Sequence, residues 1–307
     1  LLKNNSISWA IDQQISTGQG SGGSITRNVT FYQNFISEGL WRSYHSGGSH
    51  SGNALIGSTT GATFLIKNLF ANSRDRSPLM KAGSVVEMIN NYIYNYGPTQ
   101  NSNLPRLEFN ASLPSRLDFI GNWCVNGPRS SGNPFCLYNQ PVHPSTLAYM
   151  FDNRGRTRTS DIQPETDIAF NSSAGISEIR VVNRTTSGIL DVDDILADIA
   201  ANSGARPWNR LDVDQRLLTQ VASGGTLGNH YDCVTTNRCQ FEDGEIQVPE
   251  GGFPVRPVET RSLNCAPDYS ELEYLSWVSQ FESNTPPPAA SPTPVPTTAV
   301  GVGDFNK

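Results

Sequence analysis

Short apolar runs separated by polar, turn-rich stretches mark the first half of the chain: Val29 to Phe31, Thr63 to Ile66, Val85 to Ile89, Leu117 to Ile120 and Leu147 to Phe151. Their length and their β-branched and aromatic content predict strands. An asparagine follows each run, at Asn34, Asn68, Asn91, Asn122 and Asn153, so one strand-plus-asparagine unit recurs at steps of 34, 23, 31 and 31 residues. Recurrence at a few tens of residues predicts a solenoid whose coils bury their faces against one another. Strands of an antiparallel sandwich recur more tightly, about every 8 to 12 residues. A parallel β-helix fits the longer step, and aligned asparagine amides at its turns would bond from coil to coil, satisfying backbone groups that stacking buries. Beyond residue 155 the pattern turns helical. Asp191 is placed to cap Val192 to Ile199, with Gly204 where that helix stops; Asp212 is placed to cap Val213 to Val221, with Gly224 and Gly225 closing it. Ile195, Leu196 and Ile199 need an apolar partner, which predicts helices lying along the side of the coils.

Composition narrows the functional classes. Of 307 residues, 36% are hydrophobic and 16% charged, which predicts a folded chain. No window reaches the ~20 apolar residues of a membrane-spanning helix. The net charge is −6 with Lys and Arg scattered, so the basic face that nucleic acid requires is absent. The first residue is Leu1, so the sequence reads as a processed chain or a piece of a longer one.

Sequons at Asn4, Asn28, Asn110, Asn171 and Asn183 point to an extracellular, glycosylated chain. Cys124 and Cys136 bracket one loop and Cys233 and Cys239 another, spacings suited to disulfide clips in an oxidising compartment; Cys265 is left over. No close cysteine pair has zinc-finger spacing. From residue 284 to 307 the text becomes Pro- and Thr-rich and reads as an extended stalk or linker, after a folded part spanning 1–283 with a helical and loop extension from about 155.

The segment Asn68 to Lys81, with Arg74, Arg76, Pro78 and Lys81, resembles the stretch of pectate lyases that carries their Arg-x-Pro-x-x-Arg motif. Further elements resemble that family in order: Ser8-Trp9-Ala10-Ile11-Asp12, Ser37 to Leu40, His50 to Gly57, Glu87 to Asn95, and Gly204 to Asp214. The resemblance implies an all-β, right-handed parallel β-helix with short C-terminal helices, acting on acidic polysaccharide by β-elimination with calcium as cofactor. It implies Arg76 as the base, Lys81 as a substrate-carboxylate anchor and Asp12 as a metal ligand; Arg74 and His50 are further candidate substrate contacts, and Glu38, an acid in a neighbouring coil, is a candidate substitute metal ligand. A cation must spread the charge that builds on a uronate when its C5 proton leaves, which is why the chemistry calls for calcium and for basic side chains. The sequence departs from the family pattern where Ser8 and Gln13 stand in place of acids, Gly52 in place of a lysine and Lys81 in place of a second arginine. His45 and His50 flank a Gly/Ser loop and offer sugar or metal contacts. The resemblance begins partway through the family's fold, so an open first coil is expected, which another chain or copy could complete head to tail. That gives the alternative reading, a non-catalytic extracellular fibre or surface subunit.

Overall fold

A computed structural model describes residues 1–18, 28–41, 45, 50–57, 61–97, 105–108, 113–130, 135–138, 143–170 and 175–231. The chain divides into two units, Leu1–Thr260 and Arg261–Lys307. Asn110, Asn171, Cys233, Cys239, Cys265 and the Pro-rich segment lie outside the described residues.

Three parallel sheets make up the first unit, and the chain visits them in turn, so neighbours within a sheet are always one circuit apart. The first sheet is ordered Leu2–Lys3, Val29–Tyr32, Thr63–Ile66, Val85–Ile89, Arg116–Ile120, Leu147–Phe151 and Ile176–Ser177. The second runs Ser6–Ser8, Phe35–Ser37, Leu69–Ala71, Tyr92–Tyr94 and Trp123–Val125, and the third runs Gln13–Thr17, Gly52–Ile56, Leu79–Met80, Arg106–Leu107, Leu137–Tyr138 and Ala169–Phe170. This topology is consistent with a parallel β-helix. All five apolar runs of the first half are strands of the first sheet. Parallel pairing continues past residue 155, through Ala169–Phe170 and Ile176–Ser177, in strands too short to give a readable pattern.

Alternation along each strand sorts side chains between the interior and the outer face. In the first sheet Leu65, Val86, Met88, Leu117 and Phe119 join Ile36, Phe70 and Ile93 of the second and Ala54, Ile56 and Met80 of the third in one interior core. Each such large side chain contributes about 1.5–3 kcal/mol by leaving water. Cys124 and Cys136 are joined by a disulfide inside this core, with Cα atoms 5.5 Å apart.

The turn between first and second sheets repeats in every circuit. A residue at positive φ (Asn4, Gln33, Lys67, Asn90, Gly121 or Asp152) precedes an asparagine, and these asparagines stack. Asn5 Nδ2 donates to Asn34 Oδ1 at 2.9 Å, Asn34 to Asn68 at 3.0 Å, Asn68 to Asn91 at 3.0 Å, Asn91 to Asn122 at 2.9 Å and Asn122 to Asn153 at 3.1 Å. Each Oδ1 also accepts the backbone N–H of the asparagine before it, as Asn91 Oδ1 does from Asn68 at 3.0 Å. The row ends where Asn153 Nδ2 donates to Glu165 Oε2 at 2.9 Å.

Two helices cover the outer face of the second sheet. Asp191 accepts from the Asp193 N–H at 2.9 Å, opening a 3-10 turn that leads into α1 (Ile195–Asn202). α2 (Asp212–Ala222) begins at Asp212 itself; Leu211 stands at the cap position, so Asp212 does not cap the helix from outside. Asp214 instead accepts from Ser6 Oγ at 2.5 Å, tying α2 to the first circuit. Ile195, Ile199, Leu217 and Val221 pack on Phe35, Leu69, Tyr92 and Tyr94.

The outer face of the first sheet carries two fully buried carboxylates, Glu87 and Asp118. Segment 180–185 closes over both. Arg180 bridges them at 2.8 and 2.9 Å, the Val181 and Asn183 N–H groups donate to Asp118, and those of Arg184 and Thr185 donate to Glu87. With this many donors the two acids are satisfied despite losing water. Among the described residues no helix is long and apolar enough to cross a membrane.

Candidate functional site

Register at the start of the third sheet stacks three successive circuits. Gly52 N–H donates to the Asp12 carbonyl at 2.8 Å, Asn53 N–H to Asp75 at 3.1 Å and Ala54 N–H to Arg76 at 2.8 Å. Asp12, Gly52 and Arg76, far apart in sequence, therefore lie side by side. A Cβ at Gly52 would stand 2.6 Å from Arg76 Cβ and 2.9 Å from the Asp75 carbonyl oxygen. Gly52 is thus what lets Arg76 sit against the preceding circuit, and a lysine at that position would displace it.

Arg76 occupies a left-handed conformation, φ 53°, unusual for a residue with a long side chain. Its Nη1 lies 3.4 Å from Asp12 Oδ1 and its Nε 3.5 Å from Asp75 Oδ2. The Nε is buried and has no hydrogen-bond partner among the described residues. Asp75 Oδ1 accepts the Arg76 N–H at 2.8 Å. Burial pushes the Asp75 carboxyl above its ordinary range, against the pull of Arg106, Arg76 and His50. Asp12 is more open. Its Oδ1 lies 2.9 Å from His50 Nε2 and also accepts from Gln13 Nε2, while its Oδ2 is 4.0 Å from His45 Nε2. The two imidazoles stack with centroids 4.3 Å apart and planes 12° from parallel.

The other predicted site residues do not converge here. Glu38 is fully buried; Arg216 grips its two oxygens at 2.7 and 2.9 Å and Trp9 Nε1 donates to it at 2.9 Å. It is engaged in a buried ion pair and is not among the donors that gather beside Asp12. Lys81 leaves the third-sheet strand that follows Arg76 and pairs with Glu108 at 2.9 Å. Arg74 lies over the Trp41 ring, 5.3 Å from its centroid. Ser8 belongs to the second sheet, its Oγ 3.0 Å from that of Ser37. Among sequon asparagines, Asn28 and Asn183 are exposed, whereas Asn4 Nδ2 is bound to the Asn202 carbonyl at 2.5 Å.

Calcium requires ~6–8 oxygen ligands. The donors that gather within 4.8 Å of one another among the described residues are one carboxylate, Asp12, and two imidazoles, His45 and His50. That set is not a calcium set. Sequence reasoning missed Asp75, whose only signal was adjacency to Arg76, and Arg216, which carried none.

Basic and acidic side chains thus gather where strands of three successive circuits meet. Comparison with curated proteins finds the chain distantly similar to a pectate lyase. It is 28% identical over 225 residues, 73% of its length, to a protein of Aspergillus flavus described as "Probable pectate lyase C". Those residues make up 48% of the relative, so the chain spans about half the length of that protein. No family model matches the chain.

Proposed function

We propose that the protein is an extracellular, right-handed parallel β-helix that acts on uronate-containing polysaccharide by β-elimination, with Arg76 as the proton acceptor. In that reaction Arg76, having first passed one guanidinium proton to solvent, takes the C5 proton of a uronate, the C4–O bond breaks as a C4=C5 double bond forms, and the leaving oxygen takes a proton from water. The right-handed sense is the one the resemblance implies and the one parallel crossover connections prefer. The observation that carries the reading is the state of Arg76. Its guanidinium is held by two carboxylates at 3.4 and 3.5 Å, longer than committed charge-assisted bonds, and keeps a buried donor without an acceptor among the described residues. Arg216, paired with both oxygens of Glu38 at 2.7 and 2.9 Å, shows what a committed guanidinium–carboxylate pair looks like in the same protein. A substrate carboxylate would complete the Arg76 donors, and Arg76 sits within the motif that resembles the lyase segment.

Absorbance of the unsaturated uronate product, followed with polygalacturonate, tests the proposal. The native chain is expected to turn over, and Arg76→Ala to lose about 100-fold or more, the size expected when a group acting in proton transfer is removed. A native chain with no turnover under any metal condition, but with large ordered assemblies by electron microscopy, would replace this reading with the structural one.

A further inference from the structure

The donors around Asp12 have a chemistry of their own. Two imidazole nitrogens and one carboxylate oxygen, from His50, His45 and Asp12, all lie within 4.8 Å of one another. Around a tetrahedral zinc ion with bonds of ~2.0–2.1 Å, ligand atoms stand ~3.3 Å apart. The separations here, 2.9 Å from His50 Nε2 and 4.0 Å from His45 Nε2 to the two Asp12 oxygens, straddle that value. The stacked rings present both Nε2 atoms toward the same carboxylate. Side-chain exposures of 26% and 29% for the histidines and 46% for Asp12 place the cluster part-way into solvent.

We propose that Asp12, His45 and His50 form a binding site for a divalent first-row transition cation of the Zn2+ type. Imidazole with carboxylate suits such ions, whereas calcium takes oxygens only. Three protein ligands leave a coordination position for water or an oxygen of a bound molecule. Gln13, bonded to the Asp12 oxygen that also faces His50, fixes that carboxylate from the side. Occupancy would also reach Arg76. Asp12 Oδ1 is shared by Arg76 and His50, so a cation drawing on that carboxylate loosens its hold on the guanidinium and leaves Asp75 as its remaining partner.

The inference does not rest on the lyase reading, because its readout is binding. Calorimetric titration of the full chain with Zn2+ is expected to show one site that equimolar Ca2+ does not displace, and substitution with Co2+ to give a visible ligand-field band. His45→Gln and His50→Gln, each checked for a native circular dichroism spectrum, should weaken Zn2+ binding at least about 100-fold, since losing even an outer partner of a metal ligand costs 10–100-fold. His143→Gln, at a half-buried histidine outside the cluster, serves as the control and should bind as the native chain does. Should His50→Gln not fold, His45→Gln and Asp12→Asn decide the matter. Undiminished Zn2+ binding in those variants, no binding to the native chain, or displacement by equimolar Ca2+ would each overturn the site, whatever the polysaccharide assay shows.

Discussion

Gly52 and Arg76 show how one residue's absence of a side chain sets another's position. The 2.6 Å that a Cβ at residue 52 would leave to Arg76 Cβ, and the 2.9 Å to a backbone oxygen, cannot both be relieved by rotating a flexible side chain. Gly52→Ala is therefore expected to shift Arg76 and lower turnover at least about tenfold, at an overpacking cost of ~1–3 kcal/mol. Steady-state kinetics beside thermal melting checks this; native turnover in the variant would show that Arg76 is not held by that contact. Glu38 teaches a related lesson. An acid in a lyase-like segment reads from sequence as a metal ligand, but its role depends on Arg216, 178 residues away. Identity at one position carries no trace of a partner that distant. Arg76 and Asp12, by contrast, were legible because each sits in a local motif, and the structure brings them within 3.4 Å.

At the scale of elements, the strand-plus-asparagine unit was visible because the first-sheet strands are the most apolar and the buried asparagines the most regular feature of the text. The second and third sheets were not. Their strands are short, and Leu79–Met80 and Arg106–Leu107 have two residues each, too few to display alternation. Helix α2 was found with its start slightly misassigned, because Asp212 looks like a cap and lies inside the first turn. The asparagine row makes its own prediction. Asn91 Oδ1 accepts from both the N–H and Nδ2 of Asn68, and its own Nδ2 donates to the Leu65 carbonyl at 2.7 Å and to Asn122. Asn91→Ala strands several of these buried groups, each costing ~1–3 kcal/mol, so a loss of about 3–5 kcal/mol is expected in urea unfolding. A loss below about 1 kcal/mol would mean that the stacked strands hold without the row.

Over the whole first unit, acid sensitivity has an identifiable source. His230 Nε2–H donates to the Asn95 carbonyl at 2.7 Å, 135 residues away, because a carbonyl oxygen only accepts. Burial, with Arg74 and Arg129 nearby, lowers its pKa from 6.5 to about 4. The folded state thus resists a proton that the unfolded chain accepts, so its contribution is complete above pH 6.5 and is lost as pH falls toward 4, by about 3 kcal/mol. Burial raises the carboxyls of Asp75, Asp152, Glu165 and Asp214, which act in the opposite sense, favouring the fold as pH falls through their raised values. Comparing urea midpoints of the native chain and His230→Gln across pH 4–7 cancels those shared terms; the native chain should show the steeper acid loss, and identical slopes would remove His230 from the account. The asparagine row also gives the molecule a direction. Every Oδ1 faces the circuit before it, so the amide dipoles add along the stack as peptide dipoles add along a helix, with their positive ends toward the last circuit. Glu165 meets that positive end with a carboxylate that accepts from Asn153 and has no amide to offer onward. The stack is in this sense a polar wire with an anionic terminator, and the chemistry that lets each circuit recruit the next is switched off by a single side chain.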